Sequence, residues 1–156
     1  MELKGHKKNK DTTSLRLFRY LLTVARRSGA PKIRVGFLIK NGKNIALIKS
    51  NHRGETFHLL PSCDVCCEVD GEDIERAIKR TAENLGFEKI SIGKYLGCKN
   101  HIHEDCSSKC FYFAVNAFPR RISKEVVWIR KRDIIDINIS KIERHIIFKY
   151  LGMDDC

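Results

Sequence analysis

Long apolar runs are missing from this chain of 156 residues, and acids are nearly missing from its first 34. The longest apolar stretches, such as Val35-Gly36-Phe37-Leu38-Ile39, fall far short of the ~20 residues a membrane-crossing helix needs, which excludes a helical transmembrane protein. A secretory signal is also lacking, because the apolar stretch within residues 14–27 is short and repeatedly broken by Arg. The seven cysteines (Cys63, Cys66, Cys67, Cys98, Cys106, Cys110 and Cys156) are odd in number, so a secreted disulfide framework is not expected and reduced thiols fit better. There is no internal repeat, and no low-complexity tract beyond the Lys-rich first ten residues.

What remains is ordinary globular material, 42% hydrophobic and 31% charged, of a length that suits one core. The charge is uneven. Of the net +11, residues 1–34 contribute +8: Lys4, Lys7, Lys8, Lys10, Arg16, Arg19, Arg26, Arg27, Lys32 and Arg34 stand against only Glu2 and Asp11. Residues 35–156 hold 20 basic and 17 acidic side chains. The expected organisation is a basic N-terminal arm and helix over residues 1–31, followed by one domain over 32–156. Such an arm seeks polyanions, which are RNA, DNA or an acidic membrane surface, with a solubilising tail the plain alternative. Residues 14–27 are Arg-rich and amphipathic as mitochondrial presequences are, but the Lys-rich lead-in favours a cytoplasmic protein, with mitochondrial the alternative.

Periodicity places a helix over residues 12–29 from Leu15, Phe18, Leu22 and Ala25, with Ser14 as a cap and Gly29 and Pro31 as stops. Strands follow at Lys32–Ile39 and Asn44–Ile48 around an Asn41-Gly42 turn, and at Thr56–Leu60. Residues 62–71 read as a Cys-rich connection, extended in part at Cys67–Val69. A second helix starts at Glu72, with Ile74, Ile78, Ala82 and Leu85 on one stripe and Gly86 as its stop. Ile90–Leu96 and Phe111–Ala117 read as strands around a polar loop at 97–109, and Val126–Arg130 as another strand. Asp133–Ile137 is ambiguous. Ser140-Lys-Ile-Glu143 is a capping box for a last helix, with Ile142, Ile146, Lys149 and Tyr150 on one side. This order gives an α+β domain with a mixed sheet.

From Ile33 to Ile137 the chain resembles the Nudix hydrolases. Their box, G-x5-E-x7-R-E-U-x-E-E-x-G-U, follows a strand that ends in Leu-Pro. Here that strand ends Phe57-His-Leu-Leu-Pro61, and the helix ends Lys79-Arg80-Thr81-Ala82-Glu83-Asn84-Leu85-Gly86-Phe87. Ala46–Ser50, Tyr95-Leu-Gly97 and Trp128 are also similar, and the nearest flavour is that of the diphosphoinositol and dinucleoside polyphosphate hydrolases. The resemblance implies an α/β/α sandwich with a mixed sheet, and in active members a helix whose carboxylates hold Mg²⁺ on a diphosphate. Here Lys79 replaces the box Arg, Arg80 and Asn84 replace the first and third helix carboxylates, and Glu83 alone remains. Ser62-Cys63 replace the glycines after Leu-Pro, and the box glutamate falls near Glu72. A guanidinium where Mg²⁺ should sit opposes the ion, since even a screened unit-charge contact at ~4 Å costs about 1 kcal/mol. The expectation is a Nudix pseudo-enzyme needing no cofactor, with Mg²⁺ used only if activity survives through Glu83 and Glu72. Glu104, Asp105 and Glu125 are the late acids available to rebuild a metal site, and the plain reading of Glu83 is a solvated carboxylate paired with Arg80 or Lys79.

Two further clusters remain. Cys98, His101, His103, Cys106 and Cys110 gather zinc-type ligands in thirteen residues, and Cys63-Asp-Val-Cys66 adds a C-x2-C pair. The plain alternative is buried thiols and exposed histidines on a hairpin. Arg120, Arg121 and Lys124, with Arg130, Lys131 and Arg132, bracket one strand and with the arm form a candidate RNA-binding surface. Phe18, Tyr20, Phe57 and Trp128 are candidate base-stacking residues, with core packing the alternative. Arg53, Lys79 and Arg80 are candidates to hold a nucleotide or phosphate in the former substrate cleft. The expected function is therefore binding of RNA or a ribonucleoprotein such as the ribosome. The alternatives are an active metal-dependent hydrolase of nucleoside or inositol diphosphates and a zinc-stabilised adaptor.

Overall fold

The structure, a computed structural model, describes residues 16–18, 20–25, 27, 32–65, 74–103 and 106–152, of which 102, 103, 106 and 107 are described by backbone alone. The described residues of 16–27 form helix α1. Strands β1 (Lys32–Asn41), β2 (Asn44–His52), β3 (Glu55–Leu59) and β4 (Ser62–Asp64) precede helix α2 (Ile74–Asn84). Strands β5 (Phe87–His103), β6 (Cys106–Pro119) and β7 (Val126–Arg130) then lead through a 3-10 helix, Lys131–Asp136, into helix α3 (Lys141–Leu151).

The sheet is mixed and runs β3-β2-β1-β6-β5, with β4 also paired to β1 and β7 to β2. Strand β1 lies parallel to β6 in register from Lys32↔Ser108 to Ile39↔Val115, and antiparallel to β4 at Arg34↔Asp64. Alternation along β6 separates two cores. Phe111, Phe113 and Val115 face Phe18, Leu21 and Ala25 of α1 and Ile74, Ala77, Ile78 and Ala82 of α2. Cys110, Tyr112 and Ala114 face Ile134 of the 3-10 helix and Ile146 and Ile147 of α3. A sheet covered on both sides explains why β1 is buried without interruption from Val35 to Ile39. The result is the expected α+β fold in α/β/α layers.

Two expectations change. Residues 97–109 are not a loop: β5 and β6 continue as a ladder from Cys98↔Phe111 to His103↔Cys106. Their polarity masks the pairing, because the backbone ladder continues there without a regular alternation of apolar side chains. The ambiguous Asp133–Ile137 falls mainly in the 3-10 helix, anchored by the buried Ile134. The connection at Cys67–Val69 lies outside the described residues. No described helix is long and apolar enough to cross a membrane.

Candidate functional site

Helix α2 is held by its apolar stripe against β1, β4 and β5. The Cys63 thiol donates to the Ala77 carbonyl at 3.4 Å, placing α2 beside the Val35↔Cys63 pair. Its end is fixed by Gly86 at φ +100°, whose carbonyl accepts from the backbone N–H groups of Arg120 (2.9 Å) and Arg121 (3.0 Å). A Cβ there would stand 1.9 Å from the Arg121 carbonyl oxygen, so only glycine fits.

On the outer side of α2, Arg76, Arg80, Glu83 and Asn84 are exposed and Lys79 is half-buried. Lys79 pairs with Glu75 one turn earlier at 2.9 Å. Glu72, Glu104 and Asp105 lie outside the described residues. Glu125 is exposed beyond β6; its carboxylate accepts from Ser123 Oγ at 3.4 Å and its carbonyl from the Lys49 N–H. A guanidinium, one carboxylate and one carboxamide at the ligand positions of α2 do not suit Mg²⁺, which needs oxygen donors of net negative charge. No step of a metal reaction is derived from them.

The strand end that precedes α2 is tied from the opposite layer. Glu143, only 8% exposed, accepts the Leu60 N–H at one carboxylate oxygen and the Ser140 hydroxyl at the other, while Ser140 Oγ caps α3 by accepting the Glu143 N–H. Burial raises the Glu143 carboxyl above its ordinary value, opposed by those hydrogen bonds and by Arg34. Sequence reasoning saw Glu143 only as a helix cap; three-residue spacing from Ser140 carried no sign of the Leu60 contact. Beside it, Arg34 bonds Ser62 Oγ at 2.9 Å and pairs with Asp64 at 3.5 Å. The Tyr112 ring lies over Gly36, where a Cβ would stand 2.6 Å from it, and the Tyr112 hydroxyl meets His101 Nε2 at 2.8 Å. Burial and then Arg34 lower the His101 pKa, so the ring is neutral near pH 7.

The zinc candidates divide. Cys98 opposes Phe111 and packs with the core under α1 and α2, whereas Cys110 and His101 belong to the α3 side. Burial pushes the Cys110 thiol up to about 12 and also raises Cys98, which disfavours the thiolates zinc requires. The side chains of His103 and Cys106 and the whole of Cys66 lie outside the described residues. Among the described residues no group of three His, Cys, Asp or Glu is placed to hold a metal ion.

The basic candidates fall into separate places. Lys4, Lys7, Lys8, Lys10, Arg19 and Arg26 lie outside the described residues, while Arg16 and Arg27 are exposed on α1. Arg120 and Arg121 adjoin the end of α2, with Lys124 exposed after them. Arg130, Lys131 and Arg132 lie at the other end of β7, a five-residue strand spanning about 16 Å. There they meet two cations the sequence reading missed, Lys40 and Lys43, around a groove of about 750 Å³. The Lys-Asn-Gly-Lys pattern around the turn was the available signal. Arg53, at φ 51°, forms the β2–β3 turn with Gly54, and does not share an element with Lys79 and Arg80. Of the aromatic candidates, Phe18 is buried against Phe113, Trp128 packs edge-on to Phe87, Phe57 is half-buried and Tyr20 is 64% exposed.

No family model matches the chain, and no curated protein sequence does. Solved structures do. A Nudix hydrolase from Nitrosomonas europaea superposes with a TM-score of 0.63 at 15% identity, over 79% of this chain and 90% of that one. The Ap4A hydrolase of C. elegans gives 0.61 at 16% identity, over 78% and 97%. A UDP-X diphosphatase gives 0.60 at 18% identity, over 86% and 71%. With its mixed sheet between helical layers, the chain has the Nudix fold.

Proposed function

We propose that this Nudix-fold chain does not hydrolyse diphosphates by the metal route of the fold's enzymes and instead binds RNA or a ribonucleoprotein in the cytoplasm, the ribosome being the candidate particle. The observation that carries this reading is the donor set of α2, with Arg80 and Asn84 at two of the three positions where a metal helix needs carboxylates. The surrounding charge points the same way: Arg76, Lys79 and Arg80 on α2, Arg120, Arg121 and Lys124 beside it, and exposed Arg16 and Arg27 on α1. Together with the basic arm, these make a surface suited to phosphates.

Binding of a short single-stranded RNA across a series of salt concentrations tests the reading. Affinity should fall steeply with salt, with a log–log slope near −0.7 for each phosphate neutralised, and should weaken when residues 1–12 are deleted, which leaves the core residues Phe18, Leu21 and Ala25 in place. Co-sedimentation with ribosomes at moderate salt should follow the same dependence. Release of phosphate from dinucleoside or inositol pyrophosphates that requires Mg²⁺ or Mn²⁺ would favour the alternative, an active hydrolase.

A further inference from the structure

The groove between the β1–β2 turn and the junction of β7 with the 3-10 helix has no place in Nudix-helix chemistry. Ala77 of α2 lies beside the Val35↔Cys63 pair, whereas Lys40 is five residues further along β1, roughly 16 Å away. Five cations line the groove, Lys40, Lys43, Arg130, Lys131 and Arg132, and no acid among the described residues does. All five are exposed, and none is ion-paired with a described residue. Five like charges around one concavity repel each other and are relieved by an anion.

The frame beneath them is rigid. Asn44 pairs with Arg130 across β2 and β7, the Lys131 N–H donates to the Lys43 carbonyl at 3.0 Å, and Lys40 pairs with Ile45. Backbone ladders thus fix the spacing of cations drawn from two segments distant in sequence. Gly42, at φ +61° with open space around it, makes the turn without a side chain to block the mouth. Ile45 and Leu151 supply the apolar part of the lining. At about 750 Å³ the concavity is large enough for several phosphate and sugar units. No aromatic ring among the described residues lines it, so they offer nothing on which to stack bases. Its arginines present planar forks suited to phosphate oxygens.

We propose that this groove is a sequence-independent binding site for the sugar–phosphate backbone of RNA, an inference that rests on the RNA-binding reading above and assigns it a place. The test uses the full chain, fluorescent ten-nucleotide U, A and C RNAs, and the double variant Lys43→Ala/Arg132→Ala, with thermal unfolding to confirm that the variant is folded. The backbone bond at Lys43 is untouched by these changes. Expected are affinities for the three RNAs within about threefold of each other, a loss of at least tenfold in the variant, and a salt slope reduced by about 1.4, which corresponds to two phosphates. Unchanged affinity and slope in a folded variant that still binds RNA would overturn the groove assignment while leaving the RNA-binding reading intact. No binding by the unmodified chain would overturn both. Loss of binding to phosphatidylserine vesicles with RNA binding retained would assign the groove to a membrane surface and overturn the proposal. A strong preference for one base would overturn its sequence independence.

Discussion

Glu143 joins two layers through one carboxylate, accepting from the Leu60 N–H and from Ser140. Removing the carboxylate leaves a buried backbone donor without a partner, so Glu143→Ala should cost about 1–3 kcal/mol in urea unfolding. Glu143→Gln keeps an acceptor for Leu60 and should stay within about 1 kcal/mol at pH 7. The pH dependence has a definite sign. Burial raises the folded-state value above 4.5, so the folded protein holds this proton more tightly than the unfolded chain. As pH falls from the raised value to 4.5, the unmodified protein should gain stability relative to Glu143→Gln; a parallel pair of stability curves would contradict this. Gly86→Ala places a methyl group against the Arg121 carbonyl at a left-handed φ. It should cost about 2–3 kcal/mol and lower Tm by roughly 5–10 °C by calorimetry.

At the scale of elements, α2 was legible because its apolar stripe, its glycine stop and its lost carboxylates are all local features. Its partners were less so: Lys79 pairs with Glu75, and both Glu75 and Glu83 stand four residues from it, so spacing alone did not choose between them. The β5–β6 hairpin was read too short because polar residues at 97–109 carry no apolar alternation, although their backbones pair to the tip. Two of the groove cations escaped notice for a different reason. Lys40 and Lys43 join Arg130–Arg132 only through the β2–β7 ladder, a long-range pairing that no local pattern announces. The role of α2 can be tested directly by restoring its acids. Arg80→Glu/Asn84→Glu should acquire Mn²⁺ binding, read by electron paramagnetic resonance, that the unmodified protein lacks. Equal Mn²⁺ binding by both would mean that the ligands lie elsewhere.

Over the whole molecule, the charge of +11 is arranged more finely than its concentration near the N-terminus implies. Helix α1 turns Phe18, Leu21 and Ala25 into the core while Arg16 and Arg27 stay exposed, so α1 and the sheet share one packed layer. Two further groups of cations lie at the end of α2 and around the groove at the far end of β7. The fold has the layers of the Nudix hydrolases, and on the proposed reading α2, carrying Arg80 and Asn84, holds no metal. The most direct measurement of that claim is phosphate release from a panel of dinucleoside polyphosphates, nucleotide sugars and inositol pyrophosphates in Mg²⁺ or Mn²⁺. The account predicts no release above the protein-free rate for any substrate. Metal-dependent release that is abolished by Glu83→Gln would contradict it.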